Sequence, residues 1–266
     1  MASSSQPSYS GLMLMDTHCH LNCEPLYSDI FTVLESARRA GVSGFITPGV
    51  HPDGWEQIAR LAEEHKGVYT AFGIHPIHAD ILNTVILERL EEYARTGVAI
   101  GEIGLDLHSS VPRKQQEQAL REQIHLAVML RKPILVHCRG FFQRTLEILR
   151  EENANRIGGI MHAFSGSPEM AREFIRLGFL ISISGAITWK NAVRPIRLAR
   201  EIPLDSLVLE TDSPYMAPRP YKDPPNQPAR LKEVLLALSN IRDMAETDLA
   251  KAIQNNIYCL LGKNLI

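Results

Sequence analysis

The residues able to hold metal ions are few and share one kind of position: His18-x-His20, His75, Glu102, His137, His162 and Glu210-x-Asp212. Each stands at the end of a short apolar run. Imidazole nitrogen with carboxylate oxygen suits zinc, manganese or similar divalent ions, and the lack of a thiolate cluster argues against a structural zinc site. Three such ligands and a water satisfy one catalytic zinc. The six strongest candidates are His18, His20, Glu102, His137, His162 and Asp212. Two ions about 3.5–4 Å apart, sharing a carboxylate, use them more economically, and Glu102, from the middle of the series, is the best bridge. Residues two apart in a strand share a face, so His18 and His20 can reach one ion. Taken singly, each residue has an ordinary alternative as a hydrogen-bonded loop histidine, a core residue or a cap.

The elements that must position these residues alternate along the chain. Apolar runs of strand type occupy 12–15, 42–47, 68–74, 98–100, 133–136, 158–161, 179–183 and 207–209. Helical patterns fill 29–40, 55–66, 87–96, 114–130, 142–151, 169–177, 191–200, 228–241 and 246–261. Runs too short and too continuously apolar to alternate predict parallel strands buried on both faces. Gly41, Gly67, Gly97 and Gly178 separate helix from strand, where a left-handed helix end is expected. Eight strand–helix units predict an α/β fold, a TIM-type (β/α)8 barrel in a single domain over 12–266, whose strand ends meet on the face where such barrels carry their chemistry. No G-x-G-x-x-G follows any strand, which removes the main support for a dinucleotide fold. The polar start, residues 1–11, reads as a disordered extension. The proline-rich stretch 214–228 reads as a long, rigid active-site loop.

With 266 residues, 45% hydrophobic, the chain can build one large core, and its formal charge of −2 excludes a protein that coats nucleic acid non-specifically. Any nucleic-acid contact must be local. The four cysteines, Cys19, Cys23, Cys138 and Cys259, form no CxxC pair and read as reduced thiols. No apolar run approaches the roughly 20 residues of a membrane span, and the start lacks a secretory pattern. A cytoplasmic protein, with no membrane contact and no obligate protein partner, is expected. Amidohydrolases bridged by a carbamylated lysine need that lysine at the end of strand four; Glu102 stands there instead.

In order along the chain come Asp16-Thr-His18-Cys-His20-Leu, Gly73-Ile-His75-Pro, Gly101-Glu102-Ile-Gly-Leu-Asp106 and Val136-His137-Cys-Arg139. His162-Ala-Phe-Ser-Gly and Glu210-Thr-Asp212-Ser-Pro-Tyr follow. From about residue 12 onward the sequence resembles the TatD family of metal-dependent deoxyribonucleases. The resemblance implies a TIM barrel with two divalent ions, or three, whether Zn, Mn or Mg. It also implies hydrolysis of phosphodiester bonds in DNA, single strands or 3′ ends, as a 3′-5′ exonuclease acting through a metal-bridging hydroxide. By position, His18, His20 and Asp212 look like ligands of one ion, and His137 and His162 of the second, with Glu102 shared. Asp212 and Glu102 would be the catalytic carboxylates, Asp212 as general base, and His75 resembles a contact to substrate phosphate or to a third ion. The alternative activity is a metal-dependent amidohydrolase or esterase on the same barrel; a metal-binding scaffold is the non-enzymatic one.

The neighbouring polar residues have readings of their own. Glu210 faces the same way as Asp212 and is expected to hold a ligand histidine. Asp106 does likewise or caps a loop. Arg139 meets a phosphate or pairs with Glu210 or Asp106. Arg219, Lys222 and Asn226 could line a strand-binding groove, and Phe164 stacks on a base or packs in the core. Two features depart from the family pattern, Cys138 in place of a frequent Ser and Asp223-Pro-Pro before Asn226 in place of a Gly and a basic residue.

Overall fold

The structure is a computed structural model that describes residues 14–221 and 225–262. Eight strands pair in chain order, every pair parallel. They are β1 Leu14–Asp16, β2 Val42–Pro48, β3 Val68–Phe72, β4 Ala99–Asp106, β5 Ile134–Arg139, β6 Gly159–Met161, β7 Phe179–Ile183 and β8 Leu207–Leu209. Between and after them run α1 Ile30–Arg39, α2 Trp55–Glu64, α3 Thr84–Thr96, α4 Arg113–Leu130, α5 Phe142–Glu151, α6 Pro168–Arg176, α7 Val193–Glu201, α8 Leu231–Arg242 and α9 Glu246–Leu261. This is the predicted (β/α)8 barrel. Residues 1–11, and the first two of the run 12–15, lie outside the described residues.

The strands are buried because helices cover one side and the barrel interior the other; β4, Ala99–Asp106, is buried at every position. Helix ends follow local chemistry. Ser167 Oγ accepts from Met170 N at 3.2 Å, Pro168 opens α6 where no N–H is needed, and Ala171 and Phe174 turn inward. Asn83 Oδ1 accepts from Ile86 N at 3.0 Å, so α3 begins at Thr84 rather than at the predicted 87.

Two sequence expectations need correction. Gly41, Gly67 and Gly178 take positive φ, but Gly97 is extended at φ −70° and ψ 159°. The fourth strand is much longer than 98–100. It continues to Asp106, with an irregularity in its register against β5 between Ile100 and Ile103, so Glu102 lies within the strand, at a bulge. Bulges re-aim side chains. Gly104 makes the close approach to β5 feasible: at φ 149°, a Cβ there would stand 1.8 Å from His137 O.

The seam between β8 and β1 is closed by the last residues of the two strands and those just after them. Thr17 N donates to Leu209 O at 3.1 Å, and Asp212 N to His18 O at 2.9 Å. Asp16 Oδ1 accepts from Thr211 N at 2.9 Å, and its Oδ2 from Thr211 Oγ1 at 2.5 Å.

Candidate metal centre

All six candidate ligands, and His75, converge on the C-terminal mouth of the barrel. β1 stops at Asp16, so His18 and His20 lie in a bend rather than in a strand as expected. Bonds to both neighbours hold that bend, from Thr17 N to Leu209 O and from Cys19 N to Ile46 O at 3.0 Å. The two rings stand 5.0 Å apart, edge to face.

Glu102 is the centre of the cluster, 2% exposed, and its two oxygens face different partners. Oε2 lies 3.3 Å from His18 Nε2 and 4.0 Å from His20 Nε2. Oε1 lies 3.0 Å from His137 Nδ1, 3.5 Å from His75 Nε2 and 3.7 Å from His162 Nε2. Asp212 Oδ1 is 3.4 Å from His20 Nε2 and 4.0 Å from those of His18 and His162. Three sets therefore offer atoms within 4.8 Å of one another: His18, His20 and Glu102; His18, His162 and Asp212; and His75, Glu102 and His137. His162 stacks on His18, with centroids 3.5 Å apart. His75 sits beside His137, a grouping the sequence did not indicate.

Carboxylates stand behind two of the rings. Glu210 Oε2 is 3.1 Å from His162 Nδ1, and Oε1 accepts from Ala163 N at 2.7 Å. Asp106 Oδ2 is 3.0 Å from His137 Nε2 while its Oδ1 caps the loop by accepting from His108 N at 2.7 Å. Asp106 thus faces the His137 ring and caps the loop at once. Such partners fix ring orientation and raise ligand basicity. Arg139, exposed at the end of β5, makes no ion pair within 4.0 Å with Glu210 or Asp106 among the described residues, though its charge helps to hold the Asp106 carboxyl low.

The electrostatics favour positive charge. Burial works against ionising Glu102 and Asp212, yet the surrounding imidazoles hold both carboxyls below their usual range. Burial likewise opposes a proton on His162, but the carboxylates of Glu210, Glu102 and Asp212 prevail and push it up to about 10. His137 is raised against burial by Asp106 and Glu102. Burial lowers His75 to about 4 despite Glu102, and burial together with the neighbouring His162 lowers His18 as well. Protons on His162 and His137 thus occupy a field that a cation would share, while His18 keeps a free lone pair and the Nδ1 of His75 accepts from Ile77 N at 3.2 Å.

His18 tests the fit directly. It is 1% exposed; among the described residues its Nδ1 has no hydrogen-bond partner, and its Nε2 meets only the carboxylates of Glu102 and Asp212, at 3.3 and 4.0 Å and out of hydrogen-bond alignment. A buried polar group left so is costly and uncommon. A divalent ion among nitrogen and oxygen donors accounts for it.

Other predicted residues divide. Phe164 is buried between Phe142 and Phe174 and is structural. Asn226 is fully buried and its Nδ2 donates to Thr211 O at 2.8 Å, so it holds the exit of β8 instead of lining a groove. Lys222 lies outside the described residues, and Arg219 is half-buried on the same loop. The loop after β8 does reach the site: Tyr215, with His20, Asn22, Cys23, Val50 and Ile77, helps line a cavity of about 350 Å³ over the cluster.

Three supporting residues escaped the sequence reading. Asp16 locks the seam and is fully buried, which pushes its carboxyl up to about 8 despite the bonds from Thr211; an acid directly after the apolar run 12–15 was the available signal. From α4, Gln116 Oε1 accepts from Asp106 N at 2.8 Å and Gln123 Oε1 from Ile74 N at 2.7 Å. They anchor the exits that carry Asp106 and His75. Their spacing of seven residues places two amides on an otherwise apolar helix face.

Comparison with known proteins matches this architecture. The sequence profile of the family described as TatD related DNase covers residues 15–262. The uncharacterised metal-dependent hydrolase YabD of Bacillus subtilis is 36% identical over 255 residues, spanning 95% of this chain and 100% of that protein. YcfH of Escherichia coli K12, described in the same words, is 36% identical over 251 residues, 92% of this chain and 94% of the relative. The crystal structure of Escherichia coli YjjV, a TatD homologue, superposes with a TM-score of 0.88 at 33% identity, over 93% of this chain and 97% of that one. Likeness of this extent, in sequence and in fold alike, places the chain in the TatD family of metal-dependent hydrolases.

Proposed function

We propose that the chain is a deoxyribonuclease that binds two divalent ions and removes nucleotides from the 3′ end of DNA. One observation carries the two-ion reading: the two oxygens of Glu102 face separate sets of histidines. His18, His20 and Asp212 with Glu102 Oε2 would hold one ion, and His137 and His162 with Oε1 the other, with His75 beside that same oxygen. Ions bound there would stabilise charge on the attacked phosphate and acidify a water, and the nitrogen-rich donor set favours Zn or Mn over Mg.

The chain's own residues do the rest. Asp212, held ionised by the imidazoles around it, is ready to accept a proton from the attacking water. Glu210 and Asp106 hold the rings of His162 and His137 in place. Arg139, exposed at the end of β5, supplies a donor for a phosphate oxygen. A cavity of about 350 Å³ is at the small end for a ligand site and suits one terminal nucleotide better than a passing duplex. We read residues 12–266 as one catalytic unit. Four free cysteines and the absence of any membrane-spanning helix among the described residues support a reducing, cytoplasmic location.

The test is a single-stranded oligonucleotide labelled at its 5′ end, treated with chelator-stripped protein to which Zn, Mn or Mg is returned. A ladder shortening from the 3′ end, absent under chelation and in Asp212→Asn, is expected. Metal-loaded protein that leaves DNA intact while cleaving a simple ester or amide would establish the alternative activity instead.

A further inference from the structure

The chain has ten histidines, and five of them form the cluster at the mouth. Among the described residues one further pair of histidine rings meets outside it. His51 follows β2 and His78 follows β3, and their rings stand edge to face, with centroids 4.8 Å apart and planes at 75°. The pair repeats the arrangement of His18 and His20, candidate ligands of one ion, at 5.0 Å and 77°. Two imidazoles bound to one tetrahedral ion at about 2.0–2.1 Å stand with their centroids about 5 Å apart.

A second feature of the central cluster recurs here. Asp53 Oδ2 lies 3.4 Å from His51 Nδ1, as Asp106 stands behind His137 and Glu210 behind His162. Ligand histidines commonly turn their other ring nitrogen to a carboxylate. In the opposite tautomer the same Nδ1 accepts from Asp53 N at 3.2 Å. A metal on Nε2 selects the tautomer with its proton on Nδ1, where the Asp53 carboxylate accepts it. Burial, and then the neighbouring His51, lower His78 against the pull of Asp80, so its ring is neutral at pH 7, as a ligand must be.

The loops that carry the pair are already joined. His75 N donates to Val50 O at 3.0 Å, and His78 N to His75 O at 2.8 Å. Pro52 and Pro76 open a short 3-10 helix in each loop, Pro52–Gly54 and Pro76–Ile81. Rings held together before an ion arrives lose little freedom on binding it. Val50 and Ile77, their neighbours in sequence, line the cavity over the central cluster.

We infer that His51 and His78 form an outer site for one exchangeable divalent transition-metal ion, of the zinc, copper or nickel class, which ties the loops after β2 and β3 together at the rim of the cavity. Two protein nitrogens are placed there, so water completes the shell, and the exposed Asp53 and Asp80 add negative charge nearby. Such a site holds its ion less tightly than the central cluster and selects imidazole-seeking ions over Mg. It does not depend on which bond the central ions hydrolyse.

Zinc bound to the full chain is counted by titration against a chromophoric chelator with Mg in excess. One weaker equivalent, beyond those of the central cluster, is expected. It should be lost in His78→Ala and in His51→Asn, which keeps an acceptor for Asp53 N, while activity at low zinc stays unchanged. Glu102→Gln, which weakens the central ions, should retain it. In that variant zinc should also shield His51 and His78 from diethyl pyrocarbonate, as read by peptide mapping without any change at either ring. An equivalent that survives both histidine substitutions, disappears with Glu102→Gln or yields to Mg overturns the outer site, as do rings that stay reactive under zinc.

Discussion

On the Oε2 side of Glu102 the candidate ligands come from the two ends of the barrel order, His18 and His20 after β1 and Asp212 after β8. On the Oε1 side, His75 and His137 come from β3 and β5, the strands flanking β4 itself. The first side exists only once the barrel has closed, and it is held at the seam by Asp16 and Thr211, 195 residues apart in sequence. The second needs only consecutive neighbours, and amides from one helix, Gln116 and Gln123, anchor its exits. The rings differ too. His137 on the Oε1 side has Asp106 behind it, while among the described residues nothing stands behind His18 on the Oε2 side, whose Nδ1 has no hydrogen-bond partner. One side is therefore coupled to global closure and the other to local packing.

The largest effect should come from the residue both sides share. Glu102→Gln is expected to lower DNA hydrolysis about a thousandfold and to reduce bound metal on both sides, read by elemental analysis. Loss of metal from one side alone would show that the carboxylate does not bridge them.

Asp16→Ala should act on the seam. It leaves buried donors on Thr211 without an acceptor, costing about 1–3 kcal/mol, measured by denaturant unfolding of the chelated protein. Metal binding on the Oε2 side should weaken with it. Unchanged stability would mean that the seam is closed by the backbone bonds alone.

Asp106→Asn should act on the other side with little change in stability. Removing the carboxylate behind His137 is expected to weaken one metal-binding event by about 10–100-fold, visible as one shifted phase in a calorimetric titration. Two shifted phases would show the sides to be coupled more tightly than their separate anchoring suggests.

The smallest effect is chemical. Cys19 lies between His18 and His20, candidate ligands of the Oε2 side, and Cys138 follows His137 on the other. Burial raises both thiols, Cys138 to about 12, with bonds from Thr145 and Phe141 opposing. Because the thiolate is the reactive form, alkylation at pH 8 should modify exposed Cys259 and spare both. Peptide mapping would detect it, and reaction at Cys138 before Cys19 would mark the Oε1 side as the looser one.

Strand number, parallel pairing and the residues at the mouth were legible in the sequence, since continuous apolar runs and the polar residues ending them are local features. Glu210 behind a histidine was legible for the same reason, as it lies two residues before Asp212. The continuation of β4 to Asp106 was not, because Gly101-Glu102-Ile-Gly104 breaks the apolar run just where the strand bulges. Nor was the inward turn of Asn226, whose partner, Thr211 O, becomes an available acceptor only after β8 has ended. By itself, then, the sequence determined which side chains would reach one end of a barrel, because period and run length are written in adjacent residues. Only the tertiary structure decided which oxygen of Glu102 faces which histidine and how β8 meets β1, because those choices depend on register and closure between strands far apart in the chain.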